Sequence, residues 1–143
     1  MRAFTHQTSR FLLAAALCVL AACGSDSGTN PNNAAIDGTY TLRTVNGSPL
    51  PFTIQSGTTS LTLTKDVITV GSNGSWTESM NYSQTVNGQT STGTIADGGT
   101  WTRAGNAVEF DSQVSGTVAY SGTFANGTLT LNDGSGFVQV FSR

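Results

Sequence analysis

The sequence predicts an all-β fold: a small antiparallel up-and-down barrel of eight to ten strands, set behind an N-terminal signal peptide and a flexible tether. Three observations carry this. Turn dipeptides punctuate the chain at Asn46-Gly47, Asn73-Gly74, Asn87-Gly88, Asp97-Gly98, Asn126-Gly127 and Asp133-Gly134. Glycine takes positive φ without steric cost and Asn or Asp tolerates it, so these pairs suit tight turns between antiparallel strands. The segments between them alternate, apolar residues on one face and Ser or Thr on the other, which is the period of a strand with one side on a core. No stretch of the body shows helical periodicity of useful length.

The first element is the leader. "MRAFTHQTSR" carries Arg2 and Arg10 and no acidic residue; "FLLAAALCVL" is continuously apolar; two small residues and Cys23 follow. A basic head, an apolar run and small residues at a cut site are the parts of a secretory signal peptide over residues 1–22. The apolar run through Cys23 is thirteen residues, against about 20 for a spanning helix. The stretch "LAAC", Leu20 to Cys23, resembles the lipobox of bacterial lipoproteins. That resemblance implies a diacylglycerol thioether, with palmitate-type acyl chains, on Cys23 as the first mature residue. It also implies that Cys18 is discarded. The alternative reading is a plain signal peptide with Cys23 as a free thiol or in a mixed disulfide. One acyl chain anchors only marginally, whereas two or more hold stably. Gly24 stands where, in the enteric sorting rule, Asp retains lipoproteins in the inner membrane, so the outer membrane of the cell envelope is favoured.

Residues 23–35 form the tether. "GSDSGTNPNNAA" has almost nothing apolar to bury and reaches about 20 Å as a flexible coil. The folded domain is then residues 36–143. Without the leader the chain keeps four basic residues, Arg43, Lys65, Arg103 and Arg143, against eight acidic ones, and no histidine. Such a chain has no basic face for phosphates, which argues against nucleic-acid partners. It also lacks a His base, a free Cys nucleophile and a His/Cys ligand set, which disposes of most enzyme mechanisms and of a zinc or copper site; paired carboxylates for glycoside chemistry stay open without any arrangement that singles them out, and no catalytic residue, metal or cofactor is expected. Asp97, Glu109, Asp111 and Asp133 fall in or near turns without the spacing of a calcium loop.

The strands follow in order. In "SWTESMNYSQTV" the residues Trp76, Glu78, Met80, Tyr82, Gln84 and Val86 share one face, opposite a wholly polar one. "NAVEF" pairs Val108 with Phe110, "GTVAYSGTF" places Val118, Tyr120 and Phe124 together, and "TLTL" places Leu129 with Leu131. Hydroxyl-rich outer faces are the reverse of a membrane-spanning barrel. "LTLTKDVITV" shifts parity between Leu63 and Val67, as one bulged strand or two strands joined at Lys65-Asp66. "QTSTGTIADGGTWTR" has the same ambiguity at Asp97-Gly98-Gly99. A barrel or a small sandwich would both hide the sheet edges.

"DGTYTLRTVNGSPLPF", "GTWTRAGNAVEF" and "GTLTLNDGSGFVQVFSR" resemble segments of the lipocalin-like domains of small bacterial lipoproteins. In lipocalins a Gly-x-Trp opens the first strand and an Arg of the last strand packs across it. Here Gly38-Thr39-Tyr40 stands in the first place, with Tyr for Trp, and Arg143 is the candidate for the second. The resemblance implies a barrel that binds a small apolar or amphipathic molecule. The short loops also allow a barrel filled by its own side chains, which would leave protein–protein interaction or enzyme inhibition as the role, with the partner unnamed.

The candidate ligand-binding residues are Tyr40, Trp76, Glu78, Tyr82, Trp101 and Arg103. The four aromatics have inward parity and would line an apolar pocket or simply fill the core. Trp76 and Trp101 follow glycine turns and are placed near an open end. Glu78 and Arg103 share inward parity with those tryptophans; they would pair, orient a polar ligand, or reach water at a strand end.

Overall fold

A computed structural model describes residues 35–116 and 118–143. The turn chemistry sets the pattern. Asn46-Gly47, Asn87-Gly88 and Asn126-Gly127 all have positive φ at both residues, at 50° and 79°, 49° and 80°, and 51° and 76°. This is the twist-matched two-residue hairpin turn that Asn-Gly favours. The strands so joined are β1 (Gly38–Val45), β2 (Ser48–Pro49), β3 (Phe52–Ser56), β4 (Thr59–Val70) and β5 (Ser75–Val86). They continue with β6 (Gln89–Ala104), β7 (Ala107–Ser112), β8 (Val118–Ala125), β9 (Thr128–Asn132) and β10 (Val138–Ser142).

Neighbours pair antiparallel from β3 through β10, and β1 closes the ring by pairing with both β10 and β4. Eight strands, β1 and β4 to β10, therefore make a closed barrel, with β2 and β3 as additions. The share-out along β4 shapes the molecule. Its C-terminal part, Val67 to Val70, meets β1, while its N-terminal part, Thr59 to Leu63, meets β3. The first half of β4, the second half of β5 and the first half of β6 thus project past the ring as an extension edged by β3.

Both ambiguous stretches are single strands. In β4 the register shifts between Leu63 and Lys65, a one-residue bulge at Thr64 that absorbs the parity change. In β6 the ladder runs unbroken through Asp97, Gly98 and Gly99, so Asp97-Gly98 is strand rather than the turn its composition predicts. There Gly98 and Gly99 serve close packing instead. A Cβ on Gly99 would lie 1.9 Å from the Asp111 carbonyl oxygen. Gly99 is also the register partner of Trp76. With no side chain opposite, the indole lies across β6, and its Nε1 donates to the Asp111 carbonyl at 3.0 Å.

Side chains fill the end of the barrel where β1 begins, here called the base. Tyr40, Ile68, Val70, Phe110, Phe124, Leu129 and Phe141 are all buried there or just above it. Tyr40 meets Phe124 edge to face at 6.2 Å, and Trp76 meets Phe110 at 5.5 Å, arrangements favoured by the ring quadrupoles. Arg143 closes the base. Its guanidinium carbon stands 5.0 Å from the centre of the Tyr40 ring, and its Nη2 donates at 2.7 Å to the carbonyls of Ala35 and Asp37 and to the Tyr40 hydroxyl. Gly38, at φ 141°, leaves the room this needs, since a Cβ there would come 3.3 Å from Arg143 Nε.

Candidate functional site at the barrel mouth

The opposite end is the mouth, and it is not filled. Because the extension carries β4 and β5 past the ring, the inner faces of these strands and of β3 have no barrel wall opposite them. An apolar cavity of about 210 Å³ results, lined by Val45, Phe52, Ile54, Leu61, Leu63, Met80 and Phe137, with Tyr120, Asp133 and Gln139 as its polar residues. Phe52 and Phe137 meet edge to face at 6.0 Å across one side. Asp133 shapes the β9–β10 loop by accepting from the backbone N–H groups of Ser135 at 2.8 Å and Phe137 at 3.3 Å, which places the Phe137 ring.

Beneath the cavity lies a buried acidic cluster. Asp66 is 0 % exposed and Glu78 7 %. Asp66 is the register partner of Met80, and Glu78 that of Ile68, so the two carboxyls are diagonal neighbours on the inner face. The Tyr120 hydroxyl, at the cavity, donates to Glu78 Oε1 at 2.6 Å. The Asp66 and Glu78 carboxyls hydrogen-bond to each other, whereas Oε1 of Gln139, a cavity residue only 7 % exposed, has no hydrogen-bond partner. Burial first, and then the charge of Glu78, push the Asp66 carboxyl from its ordinary 3.8 up to about 8. Burial likewise raises Glu78, against the lowering effect of the Tyr120 hydrogen bond. Burial and the neighbouring Glu78 charge raise the Tyr120 phenol.

Of the residues singled out from sequence, Glu78 belongs to this site and the others stand elsewhere. Tyr40 and Trp76 are core, the first under Arg143 and the second between Phe110 and Tyr120. Trp101 sits at the base, not at an open end, its Nε1 donating to the Gly71 carbonyl at 2.9 Å. The Asn73-Gly74 turn before Trp76 does mark a barrel end, but the end that side chains fill, and the glycines before Trp101 are strand rather than turn. Arg103 is also at the base, 5.1 Å over the Phe124 ring, its Nε donating to the Gly105 carbonyl at 2.5 Å. The hydrogen bond to Glu78 comes from Tyr120 rather than from Arg103. Tyr82 leans over its register partner Gly93 in the extension, where a Cβ would come 2.7 Å from its hydroxyl. Open hollows of about 330 and 270 Å³ lie beside Tyr82 and Arg103.

Sequence reasoning missed Asp66, Gln139 and the apolar lining from β3 and the start of β4. The bulge at Thr64 hides the parity that would have turned Asp66 inward. In "FVQVF" the two valines look like the inward pair, yet Gln139 and Phe141 are the buried ones. Among the described residues, no group of three or more His, Cys, Asp or Glu is placed to hold a metal ion, and no helix is long and apolar enough to cross a membrane. Cys23, the leader and the tether up to residue 34 lie outside the described residues. Compared with protein-family models, curated proteins and solved structures, the chain has no significant match in any of the three.

Proposed function

We propose that this protein is a lipid-anchored carrier of the bacterial cell envelope, lipocalin-like in design, whose barrel mouth holds a small apolar or amphipathic molecule. The observation that supports this most is the asymmetry of the barrel interior. One end is packed with aromatic and aliphatic side chains, while the other keeps an apolar cavity of about 210 Å³ above buried polar groups. An apolar concavity with a few convergent polar atoms is the usual form of a small-molecule site. The lipid on Cys23 and the tether would hold that mouth clear of the membrane surface, in the outer membrane rather than the inner. No enzymatic step is proposed, because the mouth holds carboxyls, a phenol and an amide but no nucleophile with an activating base.

A second reading is a protein-binding scaffold. It draws on the extension, where Ile54 is 39 %, Val86 41 % and Ile95 47 % exposed.

Intact mass separates these readings. The full chain, expressed in a bacterium and extracted gently, is weighed under native conditions and again after denaturation. The carrier reading predicts an excess mass that leaves on denaturation, and a second, covalent increment that stays and disappears in Cys23→Ala. A protein that is folded but bare in the native spectrum, with no Trp fluorescence response to amphiphiles, contradicts the carrier and turns attention to the extension. A denatured mass without the covalent increment contradicts the anchor.

A further inference from the structure

The extension leaves a long strand edge uncovered. From Gln89 to Gly98, β6 pairs with β5 on one side, while β7 takes up its other side only from Gly99 onward. Among the described residues no strand pairs with that free side. The loop after β7 reaches it at Gly98, where the Gln113 N–H donates to the carbonyl at 2.9 Å. Natural sheets protect such an edge with lysine, proline or an inward charge, because its open N–H and C=O groups template another strand. The segment "QTSTGTIA", Gln89 to Ala96, carries none of these. The other free edge of the extension, β3, is only five residues long and is entered through Pro49 and Pro51. Two apolar side chains of the inner face, Ile95 on the β6 edge and Val86 next to its start, remain exposed.

We propose that this edge pairs with the same edge of a second copy of the chain, antiparallel, about a two-fold axis at Thr92. Self-complementarity argues for that partner. Residues opposite each other in an antiparallel pair share a face, so this axis sets Thr92 opposite Thr92 and Thr90 opposite Thr94. Threonines in that relation already bond within the molecule, Thr53 with Thr62 and Thr85 with Thr90, each at 2.8 Å. An axis one residue on, at Gly93, would leave Thr90 facing Ala96. On the inner face the Thr92 axis sets Ile95 opposite Gln89 of the other copy. Ile95 then lies in one row with the Val86 of that copy, because Val86 is the register partner of Gln89. The lengths agree as well. Gly88, at the tip of the β5–β6 hairpin, falls opposite Ala96, just short of the loop over Gly98. With no charge on the paired segment, two identical edges meet without repulsion, and a charged foreign strand finds nothing there to select it.

The contact is isologous, so it closes at two copies instead of growing into a fibre, as a β3-to-β6 contact would. It joins the two extensions into one continuous sheet. No residue from Gln89 to Ala96 lines the mouth cavity, so pairing leaves the mouth open and the inference stands apart from the carrier reading.

The test joins sedimentation of the full chain over a concentration series to cysteine cross-linking, both in a Cys18→Ala, Cys23→Ala background that leaves no other thiol. A dimer is expected to form as concentration rises. Thr92→Cys is expected to give a disulfide-linked dimer on mild oxidation with diamide, because opposite Cα atoms of an antiparallel pair stand roughly 4.5–5.5 Å apart, within disulfide reach. Thr53→Cys probes the β3 edge and is expected to give no cross-link. Thr92→Lys sets like charges opposite each other at the axis and is expected to raise the dimer dissociation constant at least about tenfold. Thr92 is exposed, so the fold should survive that change; if it does not, the two cysteine variants decide. A monomer at every concentration overturns the proposal, as does a dimer that Thr92→Lys leaves intact. Cross-linking at Thr53 in place of Thr92, or assembly beyond two copies, overturns it too. None of these outcomes bears on the carrier reading, which the native mass tests separately.

Discussion

Asp66 is where the cost of the site is concentrated. A carboxyl whose folded value lies near 8 against an ordinary 3.8 favours the protonated form in the folded state. The folded domain therefore loses stability as pH rises from about 4, where the unfolded chain releases this proton, to about 8, where the folded one does. Asp66→Asn, isosteric and uncharged, is expected to come close to the unaltered protein at pH 4 and to exceed it by on the order of 5 kcal/mol at pH 8. Thermal unfolding across that range checks this, and a variant less stable at pH 8 would contradict it. Glu78, also raised, leaves a shallower slope in the variant. Little of this was legible in the sequence. Glu78 has clean inward parity with Trp76 and Met80 and was found; Asp66 follows a bulge and was not. Pairing with Arg103, orienting a ligand and reaching water were all open for Glu78; the structure buries it and gives it the Tyr120 hydroxyl, because parity assigns Arg103 a face but not a height along the barrel.

At the scale of the element, glycines inside strands decide how the barrel curves. Gly122 of β8 lies opposite Leu131 and Val108, and a Cβ on it would stand 1.9 Å from the Thr130 carbonyl oxygen. A backbone contact cannot relax as a flexible side chain would, so the close approach of β8 and β9 depends on the missing Cβ. Gly122→Ala is expected to cost about 1–3 kcal/mol, the usual range for overpacking, read as a lowered midpoint in urea. Gly127→Ala serves as a contrast: its open surroundings leave only the strain of positive φ, and a Gly122 variant no worse than that one would contradict the account. Most elements were legible, since Asn-Gly turns and period-two faces are local signals. Asp97-Gly98 misled because the same dipeptide suits a turn and a tightly packed strand; the deciding contact, with β7, is remote in sequence. The short β3 was equally hidden, for it exists only because β4 outruns the ring, while β2 is a two-residue return onto β1.

The whole molecule is a barrel divided in two by height: a base sealed by Arg143 over Tyr40, and a mouth left open by the extension. All-β class followed from composition and periodicity, which left barrel and small sandwich both open until the resemblance to lipocalin-like domains favoured the barrel; the division did not follow, because it depends on how far each strand overshoots its neighbour. The chain's resemblance to lipocalin-like domains implied an Arg of the last strand across the first, and Arg143 packs so; which end would hold a ligand needed the strand heights. The central claim is that the mouth is a ligand site while the base is solid core. Methyl-detected NMR during titration with n-hexanol tests it most directly. The account predicts shifts confined to the methyl groups of Val45, Ile54, Leu61, Leu63 and Met80, with Ile68, Val70 and Leu129 unmoved. Shifts centred on the base or on the outer faces, or none at saturating amine, amphipathic alcohol and fatty acid alike, would contradict it.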